Sequence, residues 1–526
     1  LSLAALPNDS HFISTLSRPL PGSPLYLIAR TSVSELKTKT VNAMKWSYLS
    51  MFVGLTLQLF FAAVLSRLLT KEQFAVWAIA AILQRFGQFI TDLGVGQAIV
   101  QKKTLSQEDI RAGFTGAMVL GILTTVIAWL VAPAASRFYP DIPDLVPVFR
   151  GYALVYVLSS GIIISGSLLR RALNFRPVVT AELTSYAVGH GLIGLSAAYL
   201  GYGAMSLVIS AISQAVIQLF LLYFAARHSL KPIFKWSAYQ GLFSFGIKAT
   251  AVNLLEFLSS TLDTLMIGKL YSPVALGAYS RTFSTLAMPA TNFATSLSRV
   301  MAPSLSAVQN EPERLRRAYL SGLRTVALII SSAAGCIFID APEIVKVMLG
   351  PNFLDSIHLM QIFAVYIPFA VMTNLSAVLA EATARLNVKI KIQAVYLVFL
   401  ALTFWTTYRL GGQIEQIAMV LVAATLLRSV AFALVARQII GGSGRQIAGS
   451  YGLGGLAFIG SALVTAAVVF SLRALNVPLS VLFIVELALG GAVVASVLLF
   501  GPASELQGMA RTSLQRLRGR LLNSAG

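Results

Sequence analysis

Asn253, Glu256, Ser260 and Asp263 lie 3, 4 and 3 residues apart inside one apolar run, a spacing that puts all four on one helix face. The next run repeats the pattern with Arg281, Thr285, Asn292 and Arg299, and an earlier one with Arg85, Gln88 and Asp92. Lys248 and Arg428 are isolated cations in two of the apolar runs. An ion placed in hydrocarbon is expensive, so such stripes face a hydrated cavity or partner helices rather than lipid.

Two chemistries suit these groups. One is structural pairing. Asp263 and Arg281 fall at similar depth on adjacent spans, roughly 8–12 Å below the outer end by helical rise, which suits an inter-helix ion pair. Arg85 and Asp92 stand two turns apart, coupled through Gln88 or water. The other chemistry is contact with a charged cargo or a coupling ion in a wet cavity. Glu256, nearer mid-membrane and without an obvious partner, is read this way. Glu182, Glu381 and Arg299 lie near the inner ends and read as headgroup-level residues. His190, alone in its span, reads as a satisfied interior histidine rather than a proton relay.

The elements that hold these residues follow from composition. Of 526 residues, 56% are hydrophobic and only 11% charged, against about 25% charged in soluble domains. The chain therefore reads as an all-α integral membrane protein. Runs of about 20 mostly apolar residues mark spans, and fourteen are found: 44–66, 73–98, 112–133, 147–170, 177–199, 202–226, 240–267, 273–299, 319–341, 358–381, 390–409, 413–437, 452–472 and 480–500.

Loop charges orient these spans. With the N-terminus inside, the inner segments carry Lys37, Lys39, Lys45, Lys102, Lys103, Arg111, Arg170, Arg171 and Arg176 in the first half. Arg227, Lys231, Lys235, Arg314, Arg316, Arg317, Arg385, Lys389, Lys391, Arg437 and Arg445 continue the series. The outer loops hold only Arg67, Lys71, Arg137, Lys269, Lys346, Arg409 and Arg473. Cytoplasmic loops carry the excess of Lys and Arg, so both termini are expected in the cytoplasm. The net charge of +20 accordingly points to anionic lipid headgroups, and nucleic acid is not an expected partner. The single cysteine, Cys336, excludes an internal disulfide and any cysteine metal cluster.

An internal repeat organises the spans. "SRLLTKEQFAVWA" (66–78) aligns with "GKLYSPVALGAYS" (268–280), and "RRALNFR" (170–176) with "TARLNVK" (383–389). Both pairs fall at equivalent turns, so spans 1–6 and 7–12 read as two copies related by an axis along the membrane normal, with the substrate path at their interface. The expected organisation is a tail over 1–43, a first lobe over 44–226, a second lobe over 227–437, two extra helices over 438–500, and a basic amphipathic tail over 501–526. That tail reads as an interfacial helix on the inner leaflet. Residues 1–32 read as a mis-called start or a disordered tail.

Other chemistries find no support. No G-x-x-x-x-G-K-[ST] loop is present to cradle phosphates. The four histidines are scattered without metal-ligand spacing, and no paired carboxylates flank an outer loop for glycosyl transfer. No catalytic residue, metal or cofactor is expected.

The segments "MKWSYLS", "SRLLTKEQFAVWA", "DLGVGQAIVQ", "LLRRALNF", "LDTLMIGKLYSPVALGAYSR" and "MAPSLSAVQNEPERLRRAY" resemble the Wzx-type polysaccharide transporters. These belong to the multidrug/oligosaccharidyl-lipid/polysaccharide (MOP) exporter superfamily. The resemblance runs from about Val33 to about residue 500. It implies a MATE-like fold of fourteen transmembrane helices, with two pseudo-symmetric six-helix lobes around a V-shaped cavity and two helices beside them. It also implies a flippase of the bacterial inner membrane whose cargo is an undecaprenyl-pyrophosphate-linked oligosaccharide, moved to the periplasmic leaflet for exopolysaccharide, capsule or O-antigen synthesis. Membrane lipids and polysaccharide polymerases are the implied partners. By match of type and location, the role of cationic cavity residues passes to Arg85, Lys248, Arg281 and Arg428. Asp92, Glu256 and Asp263 are the candidates for coupling H+ or Na+, or for structural pairing. The alternatives are an ion-coupled multidrug exporter, which should show carboxylates dominating the first lobe, and a polytopic glycan ligase or polymerase, which should carry a large outer loop. Arg85 offsets Asp92 in the first case, and the loop is missing in the second.

Overall fold

A computed structural model describes residues 33–102, 105–234, 254–441, 444–475 and 477–500. Residues 1–32, Lys248, Asn253 and the tail expected to form an interfacial helix (501–526) lie outside the described residues. Among the described residues every regular element is helical. That is the economical solution in hydrocarbon, where each backbone N–H and C=O must be satisfied within its own segment.

The elements are α1 (Val33–Leu68), α2 (Lys71–Asp92), a short α3 (Val95–Gln101), α4 (Gln107–Phe138) and α5 (Leu145–Arg171). Next comes α6, which starts as Phe175–Tyr186 and continues through a π-helical stretch, Ala187–Gly194, into Leu195–Tyr199. Then follow α7 (Met205–Ala226), α8, described over residues 254–270, α9 (Pro273–Ala307), α10 (Pro312–Ile344) and α11 (Ile357–Ala382). Finally come α12 (Leu386–Arg409), α13 (Ile414–Ile440), α14 (Gly444–Ala474) and α15 (Leu479–Phe500).

Among the described residues, ten helices are long and apolar enough to cross a membrane. The other four expected spans differ for identifiable reasons. The π stretch divides α6, α8 is described only in part, and α9 carries a polar stripe with two arginines. In α15 the apolar stretch is Val481–Ser496. The run expected as one span over 73–98 is broken after Asp92. Leu93 and Gly94 both take left-handed backbone angles (φ 36° and 72°), and Asp92 Oδ1 accepts the Gly96 N–H at 3.4 Å, opening α3.

Local chemistry sets the helix starts. Thr70 and Gln73 form a reciprocal capping box at α2, as Ser106 and Asp109 do at α4. Ser272 caps α9 ahead of Pro273 at its first position, where a missing N–H costs nothing.

The two aligned turns make matching bonds. Arg67, at the end of α1, donates to the Val347 carbonyl beyond α10 at 2.7 Å. Its aligned counterpart Lys269, at the end of α8, donates to the Phe138 carbonyl at the end of α4 at 2.6 Å. Each cation thus meets carbonyls at a helix C-terminus, where the dipole favours positive charge. The second aligned pair needs a correction of register. Asn174 N bonds Leu169 O and Arg385 N bonds Ala380 O, closing the same turn, with Leu173 (φ 55°) and Ala384 (φ 58°) as the left-handed residues. The backbone therefore matches Leu173 to Ala384 rather than to Leu386.

Packing differs between the two ends. At the end that the loop charges orient outward, one core joins early and late helices, including Leu69, Phe74, Ile79, Tyr156, Ile267, Leu276, Tyr279, Leu349 and Phe363. Toward the inner end the cores separate. Val95, Ile99 and Ile164 cluster in the first group of helices, and Leu305, Tyr319, Leu375 and Ile440 in the second.

Candidate functional site

The inner half of the second group encloses a polar cavity of about 320 Å3 among α8, α9, α11, α12 and α13. Glu256, Glu381, Lys389, Gln393, Asn374 and Arg428 supply its polar lining. Lys389, one turn into α12, points inward and is buried. Its ammonium bridges the carboxylates of Glu256 on α8 and Glu381 on α11. Two acids and one ammonium leave a residual negative formal charge, and Arg428 on α13 lines the same cavity.

Arg428 lies over the Tyr396 ring, 4.3 Å from its centroid. Among the described residues its Nε–H is buried without a hydrogen-bond partner. A guanidinium carries planar, paired donors of the kind that match phosphate oxygens, and Arg428 is the arginine in the cavity lining. Nearby, Ser298 donates to Asn374 Oδ1 at 2.9 Å, holding α9 to α11.

The structure brings two of the expected site residues, Glu256 and Arg428, into this one cavity. Glu256, expected without a partner, is paired with Lys389. Lys389, expected in an inner loop, is buried, and Glu381, expected at headgroup level, stays exposed while lining the cavity. Sequence reasoning missed this because loop-end cations look alike. Lys389 and Gln393, four residues apart at the start of an apolar run, were the available signal.

Arg85 lies elsewhere, exposed on α2, with its guanidinium over its own Phe89, 5.9 Å from the ring centroid. Phe89 in turn meets Phe257 of α8, with centroids 5.3 Å apart. Arg85 therefore stands at the seam between the early and late helices. The expected link from Arg85 through Gln88 to Asp92 is replaced: Gln88 accepts from Gln84 at 3.4 Å, and Asp92 turns to the Gly96 amide.

Asp263 and Arg281 do not form the expected ion pair. Asp263 accepts the Tyr279 hydroxyl at 2.8 Å, while Arg281 Nε donates to Ser66 Oγ at 2.7 Å. A further Arg281 N–H bonds the Ala62 carbonyl, and the guanidinium sits 4.7 Å from the centre of the Phe74 ring. Among the described residues the Arg281 guanidinium's hydrogen-bond and ring partners are on α1 and α2, so it ties α9 across the seam rather than lining the cavity. Lys71 reinforces the same end by pairing with Asp355 at 2.6 Å. The Tyr139 hydroxyl donates to the Leu265 carbonyl at 3.3 Å. His190 is likewise not the satisfied histidine expected: it stacks on Tyr186, but among the described residues its Nδ1 has no partner.

A shared core joining early and late helices at one end and a polar cavity toward the other are what the geometry offers. A family profile described as "Polysaccharide biosynthesis protein" matches residues 64–358. This chain belongs to that polysaccharide biosynthesis protein family. The resemblance to Wzx-type transporters seen in the sequence motifs is thereby borne out. Similar proteins include an uncharacterized membrane protein in the cps region of Klebsiella pneumoniae, 24% identical over 382 residues, covering 71% of this chain and 77% of that one. The lipopolysaccharide biosynthesis protein WzxC of Escherichia coli (strain K12) is 22% identical over 418 residues, covering 78% and 84%. Among solved structures, the lipid II flippase MurJ in an inward closed conformation aligns with a TM-score of 0.62 at 12% identity, over 87% of this chain and 98% of that one. That likeness establishes a shared helical membrane fold for this polysaccharide biosynthesis protein.

Proposed function

We propose that this protein is a flippase for undecaprenyl-pyrophosphate-linked oligosaccharide repeat units, moving them from the cytoplasmic to the periplasmic leaflet for surface polysaccharide assembly. The observation that carries the reading is the Arg428 cavity, polar and set in the inner half, beneath an outer end closed by Arg67, Lys71, Lys269 and Arg281. Membership of the polysaccharide biosynthesis family and the flippase named among the structural relatives support it.

The mechanism follows from the charges. Dry burial of a pyrophosphate is prohibitive, so its hydration must be replaced by hydrogen bonds to cations. Arg85 at the seam and Arg428 in the cavity supply these, while the polyprenyl tail stays in lipid. Lys389 is already shared by Glu256 and Glu381, so the pyrophosphate competes with those carboxylates for its ammonium. Loading then loosens α8 and α11 from α12. Two six-helix lobes, spans 1–6 and 7–12 of fourteen, rock about the cavity and open the outer seam. An H+ or Na+ gradient or the membrane potential resets the cycle, each charge being worth about 2.3 kcal/mol per 100 mV. Asp92, Glu256 and Asp263 remain the proposed coupling or pairing carboxylates. Lys248 keeps its proposed cargo role from the sequence. The protein works in the bacterial inner membrane with both termini cytoplasmic, beside polysaccharide polymerases.

The direct test is flipping of lipid-linked oligosaccharide in proteoliposomes, comparing wild type with Arg85→Gln and Arg428→Gln. Both variants should lose most transport while still folding, as monodisperse elution of the purified proteins reports. Undiminished flipping in both would remove the cationic pathway.

A further inference from the structure

A second set of charges lies away from the cavity, where α14 and α15 pack against the outer part of α10. Asp340 and Glu343 project from α10, Arg473 from α14 and Glu486 from α15. All three carboxylates are more than nine-tenths buried: Asp340 is 6% exposed, Glu343 3% and Glu486 2%. Arg473, itself exposed, bonds Glu343 twice, Nε to Oε1 at 3.1 Å and a terminal nitrogen to Oε2 at 2.6 Å. Among the described residues neither oxygen of Glu486 has a hydrogen-bond partner, and Oδ1 of Asp340 has none. The remaining charged neighbour, Lys346, is exposed at the rim and acts on Glu486 only through the field.

The count decides the chemistry. Three ionised carboxylates against one guanidinium would leave two unpaired anions close together in a nearly dry site, which buried groups avoid by taking up a proton. A crevice of about 420 Å3, lined by Glu343, Lys346, Arg473 and Leu482, reaches the Glu343–Arg473 side of the cluster. A monovalent metal ion would demand several converging oxygens. Among the described residues no three acids, histidines or cysteines are arranged to hold a metal, and no neutral donor reaches the Glu486 oxygens.

We propose that Asp340 and Glu486, beside the Glu343–Arg473 pair, form a proton-binding site that joins α14 and α15 to α10. With both acids protonated, they pack as neutral carboxyls and the three helices hold together. When the protons leave past the Glu343–Arg473 pair, like charges repel across the α10–α15 contact. This site is distinct from the Asp92, Glu256 and Asp263 carboxylates and does not depend on the identity of the cargo.

Infrared difference titration of the full chain in lipid nanodiscs tests this directly. The wild type should show a protonated-carboxyl C=O band that vanishes as pH rises. Glu486→Gln should lose part of that band, and Asp340→Asn/Glu486→Gln more of it. Asp340→Asn alone reads the same site from α10 should the Gln variant fold poorly. Thermal unfolding supplies a second readout: the wild-type Tm should fall with rising pH, and Glu486→Gln should flatten that fall. Exchanging choline for sodium at fixed pH should change neither signal. An identical band in wild type and the variants overturns the proposal, as does a band abolished by sodium at constant pH.

Discussion

The Tyr279 hydroxyl donates to the Asp263 carboxylate at 2.8 Å, and both residues are buried. Arg281, two residues further along α9, bonds α1 instead. The acid and the base at this depth are thus each solvated by neutral dipoles. Asp263 fastens α8 to α9 within the second group, and Arg281 fastens α9 to the first. Had they paired with each other, neither joint would exist.

Tyr279→Phe removes the donor and leaves Asp263 with Thr264, whose hydroxyl is 3.5 Å away. The cost should be about 1–3 kcal/mol, the penalty of an under-satisfied buried acceptor. In an Asp263→Asn background the same change should cost less, because the ion is gone. Thermal unfolding of the four proteins in one detergent gives the coupling energy; additive losses would contradict the pairing.

Arg281→Met forfeits the bonds to Ser66 and Ala62 and the contact with Phe74. A loss of about 2–3 kcal/mol is expected, the range for hydrogen bonds to a charged group. Arg281→Lys should recover little, since an ammonium cannot reproduce the planar fork and the ring contact together. Both should raise labelling of the outer seam by a membrane-impermeant thiol reagent at a cysteine placed at Ser66.

Lys389→Met leaves Glu256 and Glu381 facing each other across the cavity. The two acids are each 40% exposed, so solvent screens much of the repulsion and a loss of about 1 kcal/mol is expected. Adding Glu381→Gln should restore part of it by relieving the like-charge contact. Chemical unfolding measures both steps; a second substitution that destabilises further would refute the shared ammonium.

Gly277 has no side chain because α2 passes directly beside it: a Cβ there would lie 1.8 Å from the Lys71 carbonyl oxygen. Gly277→Ala must therefore push α9 off α2 and weaken the outer seam, with lower thermal stability and more thiol labelling. Gly449→Ala on α14 meets no atom within 4 Å and serves as the control. It should be neutral or stabilising by up to about 1 kcal/mol, Ala being the better helix former.

Much of the architecture was legible in the chain itself. Crossing hydrocarbon requires a local run of apolar residues, and loop charge is counted residue by residue, so the apolar runs and the turn repeat 66–78/268–280 need no tertiary information. The break after Asp92 was partly legible too, in the Leu93–Gly94 step. Partnership was not legible. Lys389 read as a loop cation, Glu256 as unpaired, and Asp263 with Arg281 as an ion pair, because depth along a helix says nothing about which neighbour a side chain turns toward. The folded bundle decided that, by bringing Glu256, Glu381 and Lys389 from three helices to one point and setting Ser66 beside Arg281. Local composition determines what must be buried. Only the crossing of helices distant in sequence determines what each buried charge is given to bind.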